Sequence, residues 1–301
     1  MRRVLGLPLT DATLETWARN FVFTLEPLYL SADLAQRLEP RFLTMTRAEF
    51  GACSESLEYS DAYQPWNARG EFVALLTPSE FSSLEPDLRL ELNAAQVSAK
   101  RGSVFPLETA REFGISQQFL ERDAAGDSFL LRRNAWDALS QALQSDWLAS
   151  YITEDGADCV ASSLAMNIIE RHRRALALTG WLPNSGPNCF ATALSVIEPN
   201  ETRAANIARL WLQTETFLRE LERLGLHEGT FNANLKPGSV IAWRNAEGTL
   251  LHACAALSDG LVLNKNAQSW HAPRQILTLE AVLKSWEEDG LTLSVFARAD
   301  S

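Results

Sequence analysis

Trp181-Leu-Pro-Asn-Ser-Gly-Pro-Asn-Cys-Phe-Ala-Thr-Ala-Leu194 is the stretch on which the reading of the chain turns. Its first half is made of turn formers, Pro183, Asn184, Ser185, Gly186, Pro187 and Asn188, and it delivers a cysteine. The apolar run 190–197 then reads as a short buried helix. Gly186 and Pro187 stop any helix from upstream, and Asn188 is an N-cap residue by type and place. Cys189 therefore falls in the first helical turn, where unpaired backbone N–H groups and the helix dipole favour negative charge. A thiol held there is expected to titrate below the ~8.5 of free cysteine, toward the reactive thiolate. The competing reading is a packing residue, since free cysteine is among the most buried residue types and is usually inert.

Downstream the pattern changes from helical to alternating. Pro237-Gly238 is a turn, 239–243 a strand and 245–248 a hairpin loop. A second strand over 249–257, a turn at Ser258-Asp259-Gly260 and a third strand over 261–265 follow. His252 is in the middle of the second strand and Asn264 is in the third, and 264 − 252 = 12, so neighbouring antiparallel strands bring the two side chains together. A sulfur nucleophile needs an imidazole as base, and the imidazole needs a polar group to fix its tautomer. Cys189, His252 and Asn264 supply those three types in that order. A helix over 278–286 and a strand over 291–296 complete an α+β pattern, an antiparallel meander packed on helices.

Between the cysteine elbow and this meander, 201–224 reads as one long helix with Ile207, Leu210, Trp211, Phe217, Leu218 and Leu221 on its apolar stripe. Before the elbow, 158–179 reads as another, with Val160, Leu164, Ile168 and Leu176 inside. Its basic cluster Arg171-His172-Arg173-Arg174 reads as a solvated face in preference to an anion site. The polar segment 153–157 is the best domain boundary.

The region before it, 1–155, reads as mainly helical and carries no chemical motif. Thr10 or Asp11 caps a helix bearing Leu14, Trp17, Phe21 and Leu25, and Ser31 caps another bearing Leu34 and Leu38. Thr46 with Glu49, and Thr77-Pro78-Ser79-Glu80, are capping boxes, the second at the end of a strand over 71–76. Residues 56–70 read as loop and 128–132 as a strand. Asn134 caps a helix with Trp136, Leu139, Leu143 and Trp147.

With these elements placed, the second part of the chain resembles the NlpC/P60 branch of the papain-like cysteine peptidase superfamily. The resemblance rests on Pro187-Asn-Cys-Phe-Ala-Thr-Ala-Leu194 at a helix start and on Leu235-Lys-Pro-Gly-Ser-Val-Ile-Ala-Trp243. It continues in His252-Ala-Cys-Ala-Ala-Leu257 and Ser258-Asp-Gly-Leu-Val-Leu-Asn264, and covers about 158–301. It implies a papain-like α+β domain over 156–301 with Cys189 as nucleophile, His252 as general base and Asn264 as the orienting residue. The implied reaction is cleavage of a peptide or isopeptide amide through a thioester, with deamidation or acyl transfer open to the same intermediate. The Cys189 backbone N–H would give one oxyanion donor, and Asn188 or an upstream group the second. The family's usual Asp-Cys-Ser-Gly is Asn-Cys-Phe-Ala here, and Asn264 stands where its histidine is commoner. A retained papain-like fold with an inert thiol, serving as a protein-interaction module, is the alternative.

Other residues weigh less. His271, in a loop before Pro273, is the second candidate for base or orienter. Cys254 shares a strand face with His252 and reads as packing. Lys265 and Asn266 point to the sheet edge or the cleft, and His172 and His227 read as surface residues without a partner.

Composition narrows the functional classes. The chain has 301 residues, 46% of them apolar, and a formal net charge of −11, which speaks against nucleic-acid and anionic-membrane partners. The four cysteines, Cys53, Cys159, Cys189 and Cys254, form no C-x-x-C pair and fit neither a disulfide framework nor a thiolate zinc site. No phosphate-binding glycine motif is present, so no cofactor and no metal are expected. The N-terminus has too short an apolar run for a signal peptide, and no stretch approaches a membrane span. The expectation is a cytoplasmic protein acting on a peptide or other amide substrate.

Overall fold

The computed structural model describes residues 2–52, 60–65, 67–122, 125–152, 156–288 and 290–298. Cys53, Trp66, the segment 56–59 of the expected loop and Thr153, Glu154 and Asp155 of the expected boundary lie outside the described residues. Helices and antiparallel sheets are mixed throughout, so the chain is α+β. It divides into two compact units, Asp11–Tyr151 and Met1–Thr10 with Ile152–Ser301.

The first ten residues thus join the second unit and not the N-terminal region in which the sequence placed them. Strands Arg2–Val4 and Leu7–Leu9 form a hairpin whose turn puts Leu5 and Gly6 at positive φ, 51° and 71°. A Cβ on Gly6 would sit 2.6 Å from the Cys159 carbonyl oxygen, so only glycine allows this approach. The Cys159 N–H donates to the Leu5 carbonyl at 2.9 Å, and Leu7 is buried with Cys159, Leu261, Leu263 and Ile276.

Helices make up most of the regular structure of the Asp11–Tyr151 unit, which also carries two three-stranded antiparallel sheets. Its strand Phe72–Leu76 is central in one three-stranded sheet and Ser128–Leu130 in another. Most of these strands are three residues or fewer, too short to leave an alternating pattern. Local signals hold where a side chain caps its own helix. Ser31 accepts from Leu34 N–H, and Thr77 and Glu80 close a reciprocal capping box. The expected helix from Asn134 is two, Arg133–Asp137 and Gln141–Ser150, because Ser140 leaves the helical conformation to cap the second.

In the second unit the elements that position the site are helices α1 (Cys189–Ile197), α2 (Glu201–Ile207) and α3 (Thr214–Arg223). Strands β1 (Leu226–Thr230), β2 (Val240–Arg244), β3 (Leu250–Ala256) and β4 (Leu261–Asn264) follow. Then come β5 (Gln275–Thr278), helix α4 (Leu279–Ser285) and β6 (Thr292–Arg298). The strands form one antiparallel sheet in the order β5-β4-β3-β2-β6-β1. Side chains alternate across it. Val240, Ala242, Ala253 and Ala255 pack on Cys189, Leu194, Phe217 and Leu221 from α1 and α3. Ile241, Trp243, Cys254 and Val262 pack on Leu279 and Val282 of α4.

Two long helices expected from periodicity are broken. Over 158–179 the structure has a 3-10 turn and the helices Met166–Arg171 and Arg173–Leu178. The ring of His172, between these two, receives the Ser258 N–H at 3.1 Å and bonds the Ser258 hydroxyl at 2.7 Å. His172 is therefore partnered and not a free surface residue. Over 201–224 the break separates α2 from α3, where Asn188 holds both backbone groups of Leu212. The sequence pattern does not show strands β1 and β5. β1 is exposed at four of its five positions and shows no alternation, and its His227 is an exposed strand residue.

Candidate functional site

Cys189 is the first residue of α1, as its sequence implies. Asn188 is the N-cap in extended conformation, and its side-chain oxygen accepts from Ala191 N–H at 3.1 Å. Its amide nitrogen donates to the Leu212 carbonyl at 2.8 Å, which ties the start of α1 to the segment between α2 and α3. One of the two N–H bonds of that amide is thus committed to Leu212. The approach to the helix is held from the other side. Ser185 Oγ accepts the Trp270 N–H at 2.9 Å, and Gly186 N–H donates to the Gln268 carbonyl at 3.0 Å.

His252 is fully buried on β3, and its Nε2 lies 2.8 Å from Asn264 Oδ1 at the end of β4. An amide oxygen only accepts, so Nε2 carries the proton and Nδ1 bears the lone pair. Asn264 in turn donates through Nδ2 to Asn266 Oδ1 at 2.8 Å, which fixes its orientation. The imidazole stacks on Trp286, with centroids 4.2 Å apart, and meets Trp243 at 5.1 Å. Its Nδ1 is buried and, among the described residues, has no hydrogen-bond partner. Burial pulls the imidazole down from its ordinary 6.5 to about 4, against the opposing effect of Asn264.

The β3–β4 ladder has only the pairs Ala255↔Leu263 and Ala256↔Val262. Beyond it toward Asn264 the two strands are bridged by the His252–Asn264 side-chain bond. Cys189 meets β3 at this parting. Its thiol is 7% exposed, and burial pushes it up to about 11, while N–H groups of Ala253, Phe190 and Cys189 and the Lys265 ammonium pull it the other way. The expected depressed thiol is thus corrected: the helix start is present, but exclusion of water outweighs its field. The thiol is anchored beside Ala253, the neighbour of His252, and is not hydrogen-bonded to the imidazole. The structure brings His252 and Asn264 together directly, but it packs Cys189 on the α1 face of the sheet with Ala253 and Ala255, whereas the His252 ring is on the α4 face with Trp243 and Trp286.

The remaining candidates fall around this centre. Lys265 is fully buried, and its Nζ donates to the carbonyls of Ser269, at 2.8 Å, and Ala272. It lies inside the protein and not at a sheet edge. His271 is half-buried in the loop that Lys265 holds, and burial followed by the Lys265 charge lowers it to about 4. Cys254 is fully buried beside Ile241 and Trp243, a packing residue, and burial raises its thiol strongly. No sequence pattern singles out Arg274. Its guanidinium donates to Thr192 Oγ1 at 3.1 Å and to the Ala208 carbonyl, joining β5 to α1 and the end of α2. Trp286 reads only as a helix end; its spacing from Val282 offers a helical signal but no hint of the imidazole beneath it.

Among the described residues no group of three or more His, Cys, Asp or Glu side chains is placed to hold a metal. Among the same residues no helix is long and apolar enough to cross a membrane. Comparison with protein-family models, with curated proteins and with solved structures returned no match.

Proposed function

We propose that the second unit is a papain-like cysteine hydrolase that cleaves a peptide or isopeptide amide through a thioester on Cys189. The observation that carries this reading is the orphaned Nδ1 of His252. Asn264 places the ring proton on Nε2, so the nitrogen without a partner is the basic one, beside the strand residue on which the thiol rests. A buried polar atom left unsatisfied costs about 1–3 kcal/mol, and such exceptions gather at functional sites.

In the proposed reaction the thiol leaves the Ala253 N–H and crosses from the α1 face, through the parting of β3 and β4, to reach Nδ1. Sulfur bonds to the amide carbon as its proton passes to Nδ1, and the carbonyl electrons move to oxygen, facing the Cys189 backbone N–H. Collapse of this adduct expels the amine, which takes the proton from Nδ1. Water, activated by the same nitrogen, then hydrolyses the thioester. With the thiol at about 11 and the imidazole at about 4, the resting pair is neutral. Proton transfer ahead of attack is uphill by about 10 kcal/mol, so transfer and attack are coupled.

The alternative, an inert thiol in an interaction module, is favoured by the burial of Cys189. A peptide aldehyde separates the two, because it forms a hemithioacetal only with a thiol that its base can activate. The hydrolase reading expects reversible adduct formation at Cys189 near neutral pH, lost in Cys189→Ala and strongly slowed in His252→Ala and Asn264→Ala. No adduct in wild type, with the protein folded, would sink it.

A further inference from the structure

The second unit carries an apolar groove of about 700 Å³ between α4 and the start of β6. Trp243, Leu283, Trp286, Leu291 and Leu293 line its floor. All but Trp243 are half-buried, so apolar surface faces the groove where α4 leaves the sheet uncovered. Glu280, Glu287, Glu288 and Lys284 form its exposed rim, three carboxylates to one ammonium.

Ion pairs hold some of the acidic side chains of this unit. Glu198 and Glu220 are both paired with Arg203 and Arg223, and Glu228 is paired with Arg244. Among the described residues none of the three groove glutamates has an ion-pair partner. Uncompensated carboxylates around an apolar floor favour a ligand that brings both an apolar side chain and positive charge. The groove is also joined to the candidate site. Trp243 and Trp286, which line it, are the two rings packed on His252.

We propose that this groove binds an extended peptide, placing an apolar side chain on Trp286 and neighbouring Lys or Arg side chains against Glu280, Glu287 and Glu288. The inference rests on the hydrolase reading in assigning this peptide as the part of the substrate outside the scissile bond. A chain lying here presses on the aromatic layer over the imidazole, so occupancy and the position of His252 are coupled.

The test is binding, by isothermal titration, of two synthetic peptides to the full chain carrying Cys189→Ser, one of alternating Leu and Lys and one of alternating Leu and Glu. The Leu/Lys peptide is expected to bind at least about tenfold more tightly, the usual scale for a few complementary charges. That preference should disappear in the Glu280→Gln, Glu287→Gln, Glu288→Gln triple variant and weaken in high salt. All three residues are exposed, so the triple variant retains the fold. Equal affinity for the two peptides, no affinity for either, or a preference untouched by the triple variant would each overturn the proposal. Because the serine variant has no thiol to acylate, a failure here is distinct from a failure of Cys189 to react with the aldehyde. Binding without reactivity removes the hydrolase reading and leaves the groove as a peptide site.

Discussion

The imidazole of His252 lies flat on the indole of Trp286, with centroids 4.2 Å apart and ring planes 12° from parallel. The stack contributes to the burial that holds the ring at about 4 in place of 6.5. Between those pH values the unfolded chain takes up a proton that the folded chain does not. His252 therefore removes stability as pH falls from about 6.5 to 4 and has no such effect above that window. The full gap corresponds to about 3 kcal/mol. Urea denaturation at about pH 7 and pH 4 should show this loss in wild type, and a loss smaller by roughly that amount in His252→Gln. The same pH dependence in both proteins would mean that the ring is solvated.

Cys189 should behave at rest as a buried thiol. Iodoacetamide labelling is expected to be slow near neutral pH and to rise about tenfold per pH unit until about 11. Because the resting thiol is not hydrogen-bonded to the imidazole, His252→Ala should leave this profile in place while abolishing activation toward a peptide aldehyde. Mass spectrometry resolves Cys189 from the other thiols. Rapid labelling at about pH 6 would instead demonstrate a preformed thiolate and contradict the burial argument.

The features that could be read from the sequence are those in which a residue acts on its own neighbours. Asn188, Ser31, Thr77 and Thr278 cap the helices that follow them, as their types and positions require. The two turns before His252 and Asn264 set the hairpin, so their pairing followed from counting. What periodicity could not show is where a distant side chain takes over a backbone. The Asn188 amide interrupts the helical stripe at Leu212, and Ser258 engages the ring at His172, where the other long helix breaks. The raised thiol is hidden from the sequence for a related reason. The helix start is local and legible, whereas the burial of Cys189 against Ala253 and Ala255 depends on the sheet brought over it.

Lys265 should influence that thiol. Its buried ammonium favours the anionic sulfur and holds the Ser269 and Ala272 carbonyls of the loop that meets Ser185. Lys265→Met is expected to move the labelling profile of Cys189 to higher pH, giving severalfold slower reaction at about pH 9. Faster hydrogen exchange at the Trp270 N–H should accompany it. Lys265→Arg, which keeps the charge, should preserve more of the wild-type profile. Altered exchange with an unmoved profile would restrict Lys265 to packing.

Glu26 is the keystone of the Asp11–Tyr151 unit. One carboxylate oxygen receives Arg101 at 3.1 Å and Arg132 at 3.2 Å, and the other receives the Arg133 N–H at 3.2 Å. All three side chains in this triad are buried, and the Arg132 guanidinium lies 3.5 Å from the centre of the Phe81 ring. Among the described residues several guanidinium nitrogens of the two arginines have no hydrogen-bond partner, and Glu26 is the largest favourable charge on Arg132. Glu26→Gln would leave both charges uncompensated in the interior, at a cost of about 3–5 kcal/mol. Replacing the whole triad with apolar residues of similar volume should cost far less, because no charge is then stranded. Hydrogen exchange across Glu26–Leu30 and Phe72–Leu76, with urea denaturation of the full chain, would measure both. A loss below about 1 kcal/mol in Glu26→Gln, the range of an exposed ion pair, would mean that water reaches the triad.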